Sequence, residues 1–99
     1  MPYSNTLSPF GRVSAPPGVP VLVYGTRWCA ETMRVRRFLQ RLGIPHEYVD
    51  LEMSPAAAAR LRFLTGGSAS HPTVYVGGEL LVEPTLGELE WALARAGWR

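Results

Sequence analysis

Seven consecutive residues without a charge, VPVLVYG at positions 19–25, constrain this chain more than any other stretch. A strand with one wet face alternates apolar and polar side chains, whereas a short, continuous, β-rich apolar run reads as a strand covered on both faces. Covers must therefore come from elsewhere in the chain, and the next residues supply one. Val35, Phe38, Leu39 and Leu42 fall at i, i+3, i+4 and i+7, with Arg34, Arg37 and Arg41 between them. This spacing predicts an amphipathic helix from Ala30 to Leu42, closed by Gly43 in the left-handed conformation.

The rest of the text continues the alternation. IPHEYVDLE predicts a second strand, and Ser54 before Pro55 gives an N-cap and a first-turn proline for a helix over AAAARLRFL, stopped at Gly66 and Gly67. HPTVYVGGELLVE predicts two short strands joined by Gly77 and Gly78, a dipeptide suited to a tight hairpin. In TLGELEWALARAG, Thr85 and Glu88 have capping-box spacing, and Leu86, Leu89 and Leu93 mark a buried face. The order βαβαββα describes an α/β chain with a parallel, right-handed crossover and an antiparallel edge. Residues 1–18 are rich in Ser, Pro and Gly without a sustained period, which predicts a flexible tail ahead of one domain over 19–99.

A chain of 99 residues accommodates one such domain, and 46% hydrophobic content suffices for its core. No run approaches the ~20 apolar residues of a membrane span, and the N-terminus lacks a basic start and an apolar core segment. The expectation is a soluble, cytoplasmic protein with no membrane partner. A net charge of +2, carried by arginines that do not alternate with aromatics, gives no reason to expect nucleic acid. His46 is read as a surface residue of the second strand. Cys29, His46 and His71 lack the spacing of a zinc site, so no metal is expected.

Cys29 is the only cysteine, which rules out an intramolecular disulfide. It stands where the first strand ends and the first helix begins. There, unpaired backbone N–H groups and the helix dipole favour an anion, and a thiolate is the reactive form of cysteine. Thr32 can direct its hydroxyl at the sulfur and Arg27 can add positive charge, while Glu31 opposes both. Two readings stand at this point: a reactive thiol, or a small buried apolar residue. Trp28 likewise reads either as core or as the rim of a site.

VLVYGTRWCAET at the strand–helix junction and LTGGSASHPTVYVGGELLVEPTLGEL further on resemble the glutaredoxin family, within the thioredoxin-like fold. The glycine-rich approach and the segment LLVEPT are most similar to its mycoredoxin-like branch, and the resemblance runs from Val19 to Gly97. It implies a four-stranded mixed sheet flanked by three helices. It also implies that Cys29 is the nucleophile, that Pro72 is a cis-proline facing it, and that His71 offers its backbone to a substrate like an added strand.

The chain departs from the family pattern in three places, each at a position that bears on the chemistry. The dithiol motif C-x-x-C is C-A-E-T, so Thr32 replaces the second thiol. Ser70 and His71 replace the usual threonine and valine before the proline, and a histidine there can pair with a thiolate or protonate a leaving thiol. Val82-Glu83-Pro84-Thr85 replaces a Gly-Gly-x-Asp segment that grips glutathione. Glu83 would repel a carboxylate there, although N–H groups after Thr85 offer an anion site.

By resemblance, the chain is a monothiol thiol-disulfide oxidoreductase that reduces mixed disulfides on proteins. It works as a monomer with no tightly bound cofactor. Its co-substrate is a low-molecular-weight thiol, glutathione, mycothiol or bacillithiol, and its partners are thiolated or disulfide-bonded proteins. Arg27 and the N–H groups near Thr85 would anchor the carboxylate of the thiol, and Trp28 would form a rim. Arg34 and Arg37 are either a solvated helix face or a guide for acidic clients. Two other readings stay open: an iron-sulfur cluster-binding glutaredoxin, whose C-G-F-S motif and preceding lysine are absent here, and a non-catalytic adaptor.

Overall fold

A computed structural model describes residues 21–67, 69 and 71–98. Its elements are β1 (Leu22–Gly25), α1 (Ala30–Arg41), β2 (Glu47–Asp50), α2 (Pro55–Thr65), β3 (Thr73–Val76), β4 (Glu79–Val82) and α3 (Leu86–Arg95), the order expected from the sequence. The expected tail over 1–18 and Ser70 lie outside the described residues. Among the described residues, no helix is long and apolar enough to cross a membrane.

The strands form one mixed sheet in the order β2-β1-β3-β4. β1 runs parallel to β2, with Val23 opposite Tyr48, and antiparallel to β3, with Val23 opposite Val74; β3 and β4 form the antiparallel hairpin. Gly77 (φ +57°) and Gly78 (φ +83°) supply the positive angles this two-residue turn needs. β1 is interior to the sheet, as its continuous apolar text requires. On one face, Val21, Val23, Val74 and Val76 are buried beneath Val35 and Leu39 of α1 and Leu89, Ala92 and Leu93 of α3. Ala58 and Leu61 of α2 are buried outside that cluster.

The end of α1 departs from the periodic reading. Leu42 is exposed, and Ile44 takes its place in the core. The cause is a turn in which Gly43 (φ +71°) donates its N–H to Gln40 O and Ile44 donates its N–H to Leu39 O. This closure swings the residue after the glycine back onto the helix face, where Ile44 and Leu39 join the same cluster. The second strand is also shorter than its apolar text. His46, expected within the strand, precedes it, half-buried, with Nδ1 2.9 Å from Ile44 O.

Topology gathers the chemistry at one end of the sheet. Because β3 runs opposite to β1, with Tyr24 paired to Thr73, the start of β3 lies beside the end of β1. Because β4 runs opposite to β3, with Val82 paired to Thr73, the end of β4 lies there too. Cys29, the His71–Pro72 peptide and the connection into α3 therefore converge.

Candidate active site

Cys29 is the N-cap of α1, in extended conformation (φ −89°, ψ 118°). Its N–H donates to Thr26 O at 3.2 Å, and its carbonyl accepts the N–H of Met33 at 3.1 Å. Its side chain closes no capping hydrogen bond, and it is half-buried. Thr32, at the third position of the helix, is fully buried, and its Oγ1 has no hydrogen-bond partner. A neutral thiol is a weak acceptor, whereas a thiolate satisfies both deficits.

The Thr32 hydroxyl is the largest influence on the thiol. Together with the Thr32 backbone N–H and the His71 side chain it lowers the Cys29 pKa to about 7, against desolvation, which raises it; the Glu31 backbone N–H adds a smaller downward pull. Reactivity is thus the reading of Cys29 that the local chemistry favours. The charge expected from Arg27 does not contribute. Its guanidinium leans instead on Asp50 at the end of β2, with Nε 3.6 Å from Oδ2. The Glu31 carboxylate faces Arg34 at 3.7 Å, so the opposition expected from it is also absent.

The His71–Pro72 bond is cis, as the resemblance implied, with Pro72 buried and His71 exposed. Trp28 is 79% exposed, which removes the core reading and leaves it beside the thiol at the surface. A cleft of about 440 Å³ opens next to Cys29, between the start of α1 and the start of α3. Glu31, Arg34 and Val35 form one wall, His71 and Pro72 the base, and Glu83, Pro84, Thr85 and Leu86 the other wall. Cys29 lies outside this lining, but Glu31 and His71 belong both to it and to the sulfur's surroundings.

The far wall holds the N–H groups after Thr85 expected to offer an anion site, and a capping box takes up part of it. The Thr85 N–H donates to Glu88 Oε1 at 2.8 Å, and the Glu88 N–H donates to Thr85 Oγ1 at 3.0 Å. A complete capping box therefore uses the N–H of Thr85 itself and one of those after it, that of Glu88. Glu83, at φ 50°, donates its N–H to Pro72 O at 2.9 Å and so ties this wall to the cis-proline. The sequence reading missed Gly25, whose absent side chain leaves the space that Thr32 fills. A glycine ending an otherwise bulky strand was the available signal.

The glutaredoxin family model matches residues 21–81 of this chain. A Mycobacterium tuberculosis protein named as a glutaredoxin, Rv3198A, is 31% identical over 74 residues, which span 74% of this chain and 88% of the relative. Rice monothiol glutaredoxin-S10 (Oryza sativa) is 27% identical over 63 residues, which span 61% of this chain and 38% of the relative. Among solved structures, the thioredoxin-like protein BC3987 superposes with a TM-score of 0.67 at 27% identity, over 74% of this chain and 99% of the other. A buckwheat glutaredoxin-glutathione complex superposes with a TM-score of 0.64 at 24% identity, over 79% of each chain.

Proposed function

We propose, on the premise that this chain belongs to the glutaredoxin family, that it is a monothiol thiol-disulfide oxidoreductase acting through Cys29. The family and the fold support thiol-disulfide exchange as the class of reaction. The observation that carries the monothiol form is the environment of Cys29: an N-cap thiol with its pKa lowered to about 7, beside a cleft, with a buried threonine where a second thiol would stand.

In the proposed cycle, the Cys29 thiolate attacks the small-thiol sulfur of a mixed disulfide on a client protein. The client's sulfur leaves as a thiolate and takes a proton, with His71 the nearest candidate donor. Cys29 is then joined to the small thiol. A second small thiolate attacks that same small-thiol sulfur, forming the small-thiol disulfide and releasing the Cys29 thiolate. The client's mixed disulfide is reduced, its small-thiol half leaves in a disulfide with the one free small thiol consumed, and no second protein cysteine is required. Thr32 holds the released thiolate by donating its hydroxyl, a role in which a thiol would instead compete as a nucleophile.

His71 and Pro72 form the platform along which a substrate backbone lies, and Trp28 forms the rim. Arg34 lines the cleft and joins Arg27 and the N–H groups near Thr85 as a candidate anchor for the carboxylate of the thiol. Glu83 makes the far wall unwelcoming to a second carboxylate. The co-substrate is accordingly a small thiol of the glutathione, mycothiol or bacillithiol kind, and the scheme operates on a monomer. The mycoredoxin-like placement and a cytoplasmic setting belong to the same proposal.

Intact mass tests it. After incubation with the disulfides of separate small thiols, the protein should gain one thiol on Cys29, and excess thiol should remove it. Adduct formation should follow the thiolate, with a midpoint of about pH 7 and a loss of about tenfold per pH unit well below it. A Cys29 that forms no adduct with any small-thiol disulfide would overturn the proposal.

A further inference from the structure

We propose that Gly25 is a positioning residue for the thiol chemistry: its missing side chain is the space that holds the Thr32 hydroxyl beside the Cys29 sulfur. The inference rests on the reading of Cys29 as the nucleophile, but it concerns a residue that reading does not use.

Backbone conformation does not require glycine at position 25. Gly25 is not among the glycines with positive φ; it is the last residue of β1, in register with Asp50 of β2. Space does require it. A Cβ built on Gly25 would overlap Thr32 Oγ1, come within 2.5 Å of Cγ2 and lie 3.0 Å from the Thr32 Cβ. The three nearest atoms it would meet all belong to Thr32.

Neither partner has room to withdraw. Gly25 is pinned on the strand, its carbonyl accepting the Leu51 N–H at 2.9 Å, while Tyr24 next to it pairs with Thr73. Thr32 is fully buried on the first turn of a regular helix. Thr32 stands at the third position of the helix that Cys29 caps, the position from which a side chain reaches back toward the N-cap residue. Its hydroxyl has no hydrogen-bond partner among the described residues, and it is the largest of the influences that lower the Cys29 pKa.

The other groups around the sulfur do not replace it. His71 acts from the segment before β3, and Glu31 acts through its backbone N–H, each less than Thr32. Arg27 is engaged with Asp50 of β2, and the Glu31 carboxylate with Arg34.

The test is the pH dependence of Cys29 alkylation by iodoacetamide in the full chain, for wild type, Gly25→Ala, Thr32→Ala and the double variant. Gly25→Ala should raise the midpoint from about 7 toward the ~8.5 of a free thiol. A more basic thiolate is intrinsically more nucleophilic, so for a full shift of ~1.5 units the rate at pH 7 should fall about threefold while the high-pH plateau rises about fivefold. A general loosening of the fold would not make the two profiles cross in this way.

Thr32→Ala should raise the midpoint by the same route. Adding Gly25→Ala to it should then leave the midpoint where Thr32→Ala puts it, since the two nearest of the atoms that the new Cβ would meet are gone. If Gly25→Ala alone does not fold, a folded double variant with the Thr32→Ala midpoint supports the same pairing. A Gly25→Ala protein that folds and keeps the wild-type midpoint overturns the inference, as does a double variant that fails to fold while Thr32→Ala alone folds. A wild-type midpoint at the free-thiol value would instead overturn the underlying reading of Cys29.

Discussion

α1 and α3 both begin at the cleft, yet they begin in opposite ways. At α3 the Thr85 hydroxyl and the Glu88 carboxylate each claim a backbone N–H, and the helix start is closed. At α1 the N-cap is a sulfur that makes no capping bond, and the Thr32 hydroxyl nearby is buried without a partner. The contrast lies in what each arrangement stabilises. A closed box stabilises the helix whatever the ligand, whereas an open one gives its donors to an anion that exists only when Cys29 ionises. The stability left unrealised at α1 becomes the driving force that lowers the thiol's pKa.

Cys29→Ser breaks the contrast most severely. Serine is among the preferred N-cap residues and accepts from first-turn N–H groups as cysteine does not here. The variant should lose disulfide exchange altogether, because the hydroxyl is not ionised near neutrality, yet it should unfold at higher guanidinium concentration, by about 0.5–1 kcal/mol of added stability. A serine variant less stable than the wild type would mean that the thiol already caps the helix.

Thr85→Ala attacks the other side. It removes one acceptor and leaves Glu88 to hold the Thr85-position N–H alone, so the protein should lose about 1 kcal/mol of stability in a denaturant titration. The midpoint of Cys29 alkylation should stay at about 7, since Thr85 is not among the groups that set it. If the midpoint moves with the cap, the two helix starts are coupled across the cleft and do not act independently.

The sequence showed those parts of the molecule whose signals are local. The capping box has its two members a fixed distance apart in the text, Ser54 and Pro55 announce a helix side by side, and Gly77 with Gly78 specify a hairpin without outside help. Signals that depend on contacts between elements were not readable. Leu42 fits the helical period, but the turn at Gly43 hands its place to Ile44. Arg27 sits beside Cys29 in the text, but Asp50 on the neighbouring strand takes its charge. Gly25 and Thr32 are separated by the strand-to-helix turn, and nothing in a list of letters says that one leaves room for the other.

The smallest effect is expected at Glu83, where the closed wall meets the ligand. Its φ of 50° and its N–H bond to Pro72 O fix the backbone, so Glu83→Gln changes the charge while keeping the shape. Exposed charges interact by about 0.2–1 kcal/mol, a factor of about 1.4 to 5. Removing this one should raise the rate of adduct formation with oxidised glutathione by about that factor relative to cystamine, whose ends are cationic. The gain should shrink as salt rises and screening shortens toward ~3 Å at 1 M. An unchanged ratio at low salt would mean that the remote end of the thiol does not reach this wall, and that selectivity is set at Arg34 on the open side.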